Sequence, residues 1–220
     1  MSESRSPAGP GGPKTCLVPA EIRPLFVTKL YRTRLETAPA LNKDLVLACK
    51  AIAKADRAGR EWSRENGYKG YTSYASLDDL PTRDPTFGAL KKQLDKHANL
   101  FARALHFDLG GEKLQLNSIW INILEPGGVH TGHIHPHSVL SGTYYVDTPL
   151  NSSALKLEDP RLPLMMAAPT RSEEAPEDMQ SFVYLTPRPG DVIMWESFVR
   201  HEVPMNEARK ARISVSFNYS

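Results

Sequence analysis

His133 and His135, one residue apart, and the distant His201 are the side chains of this sequence best suited to hold a metal ion. A β-strand rises about 3.3 Å per residue and alternates its faces, so residues i and i+2 project together roughly 7 Å apart. Two imidazoles from one strand can therefore lean onto one cation while a third arrives from a later strand. Three protein ligands leave coordination positions open, as a catalytic site requires and a closed structural site does not. His130, His133, His135 and His137 fall within eight positions, between two strand-like stretches rather than in a tail. A rival pair, His135 and His137, is separated by Pro136, which makes regular strand geometry harder. Asp147 is a possible carboxylate ligand, but it lies past a whole strand.

A second element sits eleven residues beyond His201. The alternation of Ile213-Ser214-Val215-Ser216-Phe217-Asn218 places Arg212 and Ser214 on one face of a strand. An arginine directed into a β-roll is costly unless it meets an anion, because its charge cannot be removed by deprotonation. Its planar fork suits a carboxylate held by two hydrogen bonds, and the Ser214 hydroxyl can add another.

These residues need a scaffold, and the hydrophobic pattern supplies one. A first strand is expected around Pro24-Leu25-Phe26-Val27. Leu41, Leu45, Leu47, Cys49, Ile52 and Ala53 recur at helical spacing, with Asn42 as N-cap and Gly59 as stop. Residues 61–77 read as loop and edge strand. A second helix is expected from Thr86 to about Phe107, with its apolar stripe at Phe87, Leu90, Leu94, Ala98, Phe101 and Leu105; His97 and His106 on or beside it read as packing or surface residues. After Gly111 the period becomes two. Leu116, Ser118, Trp120, Asn122 and Leu124 share one face of a strand, and hairpin turns at Pro126-Gly127-Gly128 and Pro189-Gly190-Asp191 punctuate further strands. Helices first and strands after predict a mostly antiparallel double-sheet roll with helices packed outside. Residues 161–181 show no period and are too long for an idle loop, so a lid over the site is expected there.

Composition narrows the partners. The 220-residue chain is 40% hydrophobic and 24% charged, which suits one globular domain with a sizeable core. That domain is expected over residues 16–220, with helical support at 40–107 and the β-roll core at 114–220. Lys and Arg number 27 against 25 Asp and Glu, and they are scattered, whereas a nucleic-acid surface gathers basic residues on one face. No nucleic-acid partner is expected. Nor is a membrane partner, since no stretch nears the roughly 20 apolar residues of a span. Cys16 and Cys49 are too few for a disulfide framework and fit a cytoplasmic location. Residues 1–15, rich in Pro, Gly and Ser and without the apolar core of a signal peptide, are expected to form a disordered tail.

Taken together, these motifs resemble the 2-oxoglutarate- and iron(II)-dependent oxygenases, and most fully an uncharacterised bacterial and phage branch of them. The likeness is carried by His133-Ile134-His135-Pro136, Leu140 to Val146, Asp159-Pro160-Arg161, Pro189-Gly190-Asp191, His201-Glu202-Val203-Pro204 and Arg212 to Asn218. The Gly67-Tyr68…Gly70-Tyr71-Thr72-Ser73 and Trp120-Ile121-Asn122 segments add to it. The resemblance implies a double-stranded β-helix with Fe(II) held by His133, His135 and His201 at the mouth of the roll. It also implies 2-oxoglutarate on the iron, its far carboxylate on Arg212 with Ser214 assisting, and dioxygen as co-reactant. Tyr144 and Asn122 are further candidates to bind the cosubstrate. The product of decarboxylation would be succinate, and the oxidised substrate a small molecule or a side chain of another molecule.

One departure stands out. Most of the superfamily has a carboxylate where this chain has His135, so the metal would keep one more positive charge. A cupin-type metal enzyme working without 2-oxoglutarate is the alternative, since Gly127, His133-x-His135 and Pro189-Gly190-Asp191…His201 fit its pattern. Against it, positions 138–140 are Ser, Val and Leu where a cupin carries Glu, and Arg212-x-Ser214 has no cupin purpose.

Overall fold

The apolar stripes of two long helices need a partner face, and the alternating strands supply it. The computed structural model describes residues 20–220; the expected tail and Cys16 lie outside them. Along the chain run β1 (Tyr31–Arg34), α1 (Ala38–Ala55), α2 (Arg57–Glu65), β2 (Gly70–Thr72), α3 (Leu80–Arg83), α4 (Pro85–Ala104), β3 (Leu116–Leu124) and β4 (His130–His133). They are followed by β5 (Leu140–Asp147), β6 (Leu155–Glu158), β7 (Phe182–Leu185), β8 (Asp191–Glu196), β9 (His201–Val203) and β10 (Arg212–Tyr219). The major sheet has the order β1-β8-β5-β10-β3-β2 and the minor sheet β4-β9-β6-β7. Every pairing is antiparallel. The mostly β architecture with flanking helices is thus as the pattern predicted. The major sheet, however, takes both of its edge strands, β1 and β2, from the helical half.

Strand alternation gives the major sheet two different faces. One carries Ile119, Ile121, Tyr144, Val146, Val192, Met194, Val215 and Phe217, which pack with Leu45, Phe87, Leu90, Leu94 and Phe101 of the helices. The opposite face carries Trp120, Asn122, Thr143, Tyr145, Trp195, Arg212, Ser214, Ser216 and Asn218, all of which line a cavity between the sheets. Apolar residues thus bind the sheet to its helices, and polar ones face the interior of the roll.

Local chemistry sets the boundaries. Pro85 opens α4 behind Asp84, whose carboxylate accepts from Thr86 N at 2.7 Å, an N-cap arrangement. Helix α1 starts four residues before the expected Asn42 cap, behind Thr37. Asn42 instead lies inside the helix, where its amide donates to Val146 O at 2.9 Å and accepts from Tyr144 Oη at 2.5 Å. Gly59 is not a stop either. Asp56 ends α1 and caps α2, accepting from Gly59 N at 3.0 Å, so helix continues to Glu65 where loop was expected. A side chain at Gly59 would collide with Asp56, Ser76 and Tyr71, which is why glycine stands there. The first strand lies at Tyr31–Arg34 rather than Pro24–Val27. It is held by Asp191, which bridges Arg32 at 2.6 Å and Arg34 at 3.0 Å.

Candidate metal centre

The antiparallel register of the minor sheet makes the first contact of the site. In the β4–β9 pair His133 stands directly opposite His201, where Cβ atoms come within about 5 Å. β4 ends at His133, so His135 lies just past the strand rather than within it, its backbone N–H bonded to Ser197 O at 3.1 Å. The three ring centroids are 4.4 Å (His133–His201), 5.0 Å (His135–His201) and 5.1 Å (His133–His135) apart. One nitrogen from each lies within 4.8 Å of the other two.

The other nitrogen of each ring is already committed. Nδ1 of His133 meets Thr131 O at 2.7 Å, that of His201 meets Val199 O at 3.0 Å, and that of His135 meets Asn218 Oδ1 at 2.6 Å. Carbonyl oxygens only accept, so these Nδ1 atoms carry the protons and each Nε2 presents a lone pair. Outer partners of this kind fix the tautomer and ring orientation of metal-binding histidines. His135 Nε2 is buried without any protein partner. Burial pushes the His201 pKa down to about 3 and the His135 pKa down to about 4, and the charge of neighbouring imidazoles pushes the same way. Both rings are therefore neutral and ready to ligate at physiological pH. The donor set fits a borderline divalent cation. Among the described residues this is the one group of three or more metal-ligating side chains. His137 is exposed and in a left-handed conformation (φ 68°), outside the cluster.

Behind the histidines the cavity has a volume of about 490 Å³. Its walls carry Arg212, which is 3% exposed, and Ser214, which is 5% exposed, as the alternation of β10 predicted. The Arg212 guanidinium lies 5.0 Å from the Tyr145 ring centroid, and its nearest acceptor is Ser153 O at 3.4 Å. No carboxylate among the described residues pairs with it, and its Nε has no partner. Asn122 also lines the cavity, but both ends of its amide are occupied, accepting from Thr72 at 2.9 Å and donating to Ser216 at 3.0 Å. Tyr144 is placed differently from the expectation. It faces the helices, bonded to Asn42, and the neighbouring Tyr145 faces the cavity.

A family model described as "Putative 2OG-Fe(II) oxygenase" matches residues 118–218, the segment that holds all three histidines and Arg212. The chain also shares its fold with solved structures. A Pseudomonas putida prolyl-4-hydroxylase is 16% identical with a TM-score of 0.54, covering 87% of this chain and 92% of that one. The non-heme alpha ketoglutarate dependent carbocyclase SnoK from nogalamycin biosynthesis is 14% identical with a TM-score of 0.57, over 87% and 80% of the two chains. HygX from Streptomyces hygroscopicus, solved with nickel and 2-oxoglutarate bound, is 13% identical with a TM-score of 0.54, over 88% and 83%. At such identities the likeness is one of fold, the double-stranded β-helix. No curated protein gives a sequence match, and no described helix is long and apolar enough to cross a membrane.

Several site residues escaped the sequence reading. Asn218 joins the floor of the roll to the metal centre, bonding His135, Ser141 and Ser118. Its position two residues along from Ser216 on the Arg212 face was the available signal. Tyr68 and His130 also enter the cavity wall; the Gly67-Tyr68 motif and the histidine cluster contained them, but their spacing gave neither a place at this cavity.

Proposed function

We propose that His133, His135 and His201 hold Fe(II), that Arg212 and Ser214 hold the distal carboxylate of 2-oxoglutarate, and that the enzyme oxidises a C–H bond of its substrate with release of succinate and CO2. The carrying observation is the buried guanidinium of Arg212, which has no protein anion and sits in the same cavity as three converging imidazoles. A permanent charge removed from water is tolerated when an anion meets it. When bound, the iron couples decarboxylation of 2-oxoglutarate and reduction of dioxygen to substrate oxidation. The chain's own part is to present three neutral nitrogens, to orient the cosubstrate through Arg212, and to exclude water with the buried walls of Tyr145, Trp195 and Leu155.

Anaerobic titration of the Fe(II)-loaded protein with 2-oxoglutarate tests this reading, because chelation gives a visible absorption band. Arg212→Ala is expected to raise the 2-oxoglutarate dissociation constant about 10- to 100-fold through loss of a charge-assisted hydrogen-bonded pair. Metal affinity should hold steady, since Arg212 is no ligand. Unchanged cosubstrate binding in this variant would favour the cupin-type alternative.

The segment Leu162 to Gln180 is part of the same proposal. Two short 3-10 turns, Leu162–Leu164 and Glu177–Met179, give it structure. Leu164 is 80% exposed and Met166 95%, and the segment contributes nothing to the cavity wall in this conformation. An apolar head on a loop rich in acids (Glu173, Glu174, Glu177, Asp178) suits a cover that closes over substrate. Deleting residues 168–178 is expected to uncouple succinate formation from substrate oxidation while metal binding survives. Unaltered coupling would make the loop a decoration.

A further inference from the structure

Besides His135 Nε2 at the metal centre and Trp195 Nε1, four polar side-chain atoms at the cavity wall are buried without a hydrogen-bond partner: Tyr68 Oη, His130 Nε2, Tyr145 Oη and Arg212 Nε. Native interiors rarely leave such atoms unmatched, since each costs about 1–3 kcal/mol. The four come from separate elements. Tyr68 lies between α2 and β2, His130 opens β4, Tyr145 is on β5 and Arg212 opens β10. All four side chains line the same cavity, and the Arg212 guanidinium lies 5.0 Å from the Tyr145 ring centroid. Tyr68 and His130 are also locked to each other, their rings meeting edge-on with centroids 4.8 Å apart. Neither belongs to the metal cluster.

Each of these atoms can donate one hydrogen bond: the Arg212 Nε–H, the two phenol hydroxyls, and His130 as its Nε2–H tautomer. An ionised carboxylate accepts about four, on its two oxygens. We infer that Tyr68 and His130 join Arg212, Ser214 and Tyr145 in a cradle for a single carboxylate, the distal end of the dicarboxylate cosubstrate. The inference rests on the function proposed above and assigns two binding residues, Tyr68 from outside the matched segment and His130 from within it. One cation among neutral donors matches one negative charge. The cradle therefore selects a 2-oxo acid with a second carboxylate over one without it.

Tyr68→Phe removes one oxygen and keeps the ring contact with His130. Because that oxygen has no protein partner, the melting temperature should be unchanged or slightly higher. Calorimetric titration of the Ni(II)-loaded protein, in which no turnover occurs, reads binding alone. 2-Oxoglutarate should bind about tenfold more weakly to the variant, the loss of one hydrogen bond to a charged group. Pyruvate has the same 2-oxo acid head and no distal carboxylate, so its affinity should not move. His130→Phe, which also preserves the ring pair, should show the same split. If Arg212→Ala weakens 2-oxoglutarate binding and Tyr68→Phe does not, the cradle is wrong and the cosubstrate reading stands. If Tyr68→Phe weakens both ligands equally, the residue acts at the metal end and the inference falls. If neither Arg212→Ala nor Tyr68→Phe has an effect, the proposed function falls with it.

Discussion

Loss of stoichiometric divalent-metal binding is the expected result of replacing His133 and His201 together with alanine. These two face each other across the β4–β9 pair, and each presents its Nε2 because a carbonyl holds its Nδ1. With both gone, His135 alone remains of the cluster, and one imidazole does not retain a metal through dialysis. Iron and nickel content should fall from one equivalent to background, while a single cooperative melt shows that the roll persists. One retained equivalent would overturn the assignment. Preparations without added iron are expected to carry other ions, because imidazole sites prefer nickel, copper or zinc to Fe(II).

Acid should unfold the metal-stripped protein well before the metal-loaded one. Burial, the largest cause, holds His130 and His201 down to about 3 and His135 down to about 4 in the folded chain. Unfolded imidazoles take their protons near pH 6.5. Between those values the unfolded state binds more protons, so stability falls as pH falls, by up to about 1.4 kcal/mol per pH unit per histidine. At pH 5 the loss is about 2 kcal/mol for each of the two more buried rings and less for half-exposed His135. That is a large part of the roughly 5–15 kcal/mol of a typical domain. Urea midpoints of the stripped protein at pH 7.5 and pH 5 measure it directly. A midpoint that does not move would show these rings to be far more solvated than their packing indicates. Bound metal should raise the whole curve, because it binds the folded state and leaves the proton difference between the states unchanged above the folded pKa values.

The roll was legible in the sequence where one strand face is apolar and the other polar. β3 and β10 alternate cleanly, and Trp120, Asn122, Arg212 and Ser214 stand on the cavity face as their spacing predicted. The metal trio was legible for the same reason, although His135 reaches it from beyond the strand end. Tyr144 went astray because β5 is buried on both faces, so hydrophobicity could not orient it. The better signal was the polar parity of Ser141 and Thr143, which Tyr145 shares. β1 was missed because Tyr-Arg-Thr-Arg has no strong strand pattern; it exists through Asp191 and its register with β8. The place of Tyr68 and His130 was hidden for a related reason, since only the folded chain brings a turn and a strand end to the cavity of Arg212.

The borrowing of β1 and β2 by the major sheet has a consequence for biosynthesis. Tyr31 pairs with Met194, 163 residues downstream. At about 5–20 residues per second, roughly 10–30 s separate the synthesis of the two strands. For that time the helical layer is exposed from the ribosome with its apolar stripe bare, because the sheet that covers it is still unmade. Strand β10, which joins β5 to β3 in the middle of that sheet, is made later than either of its neighbours.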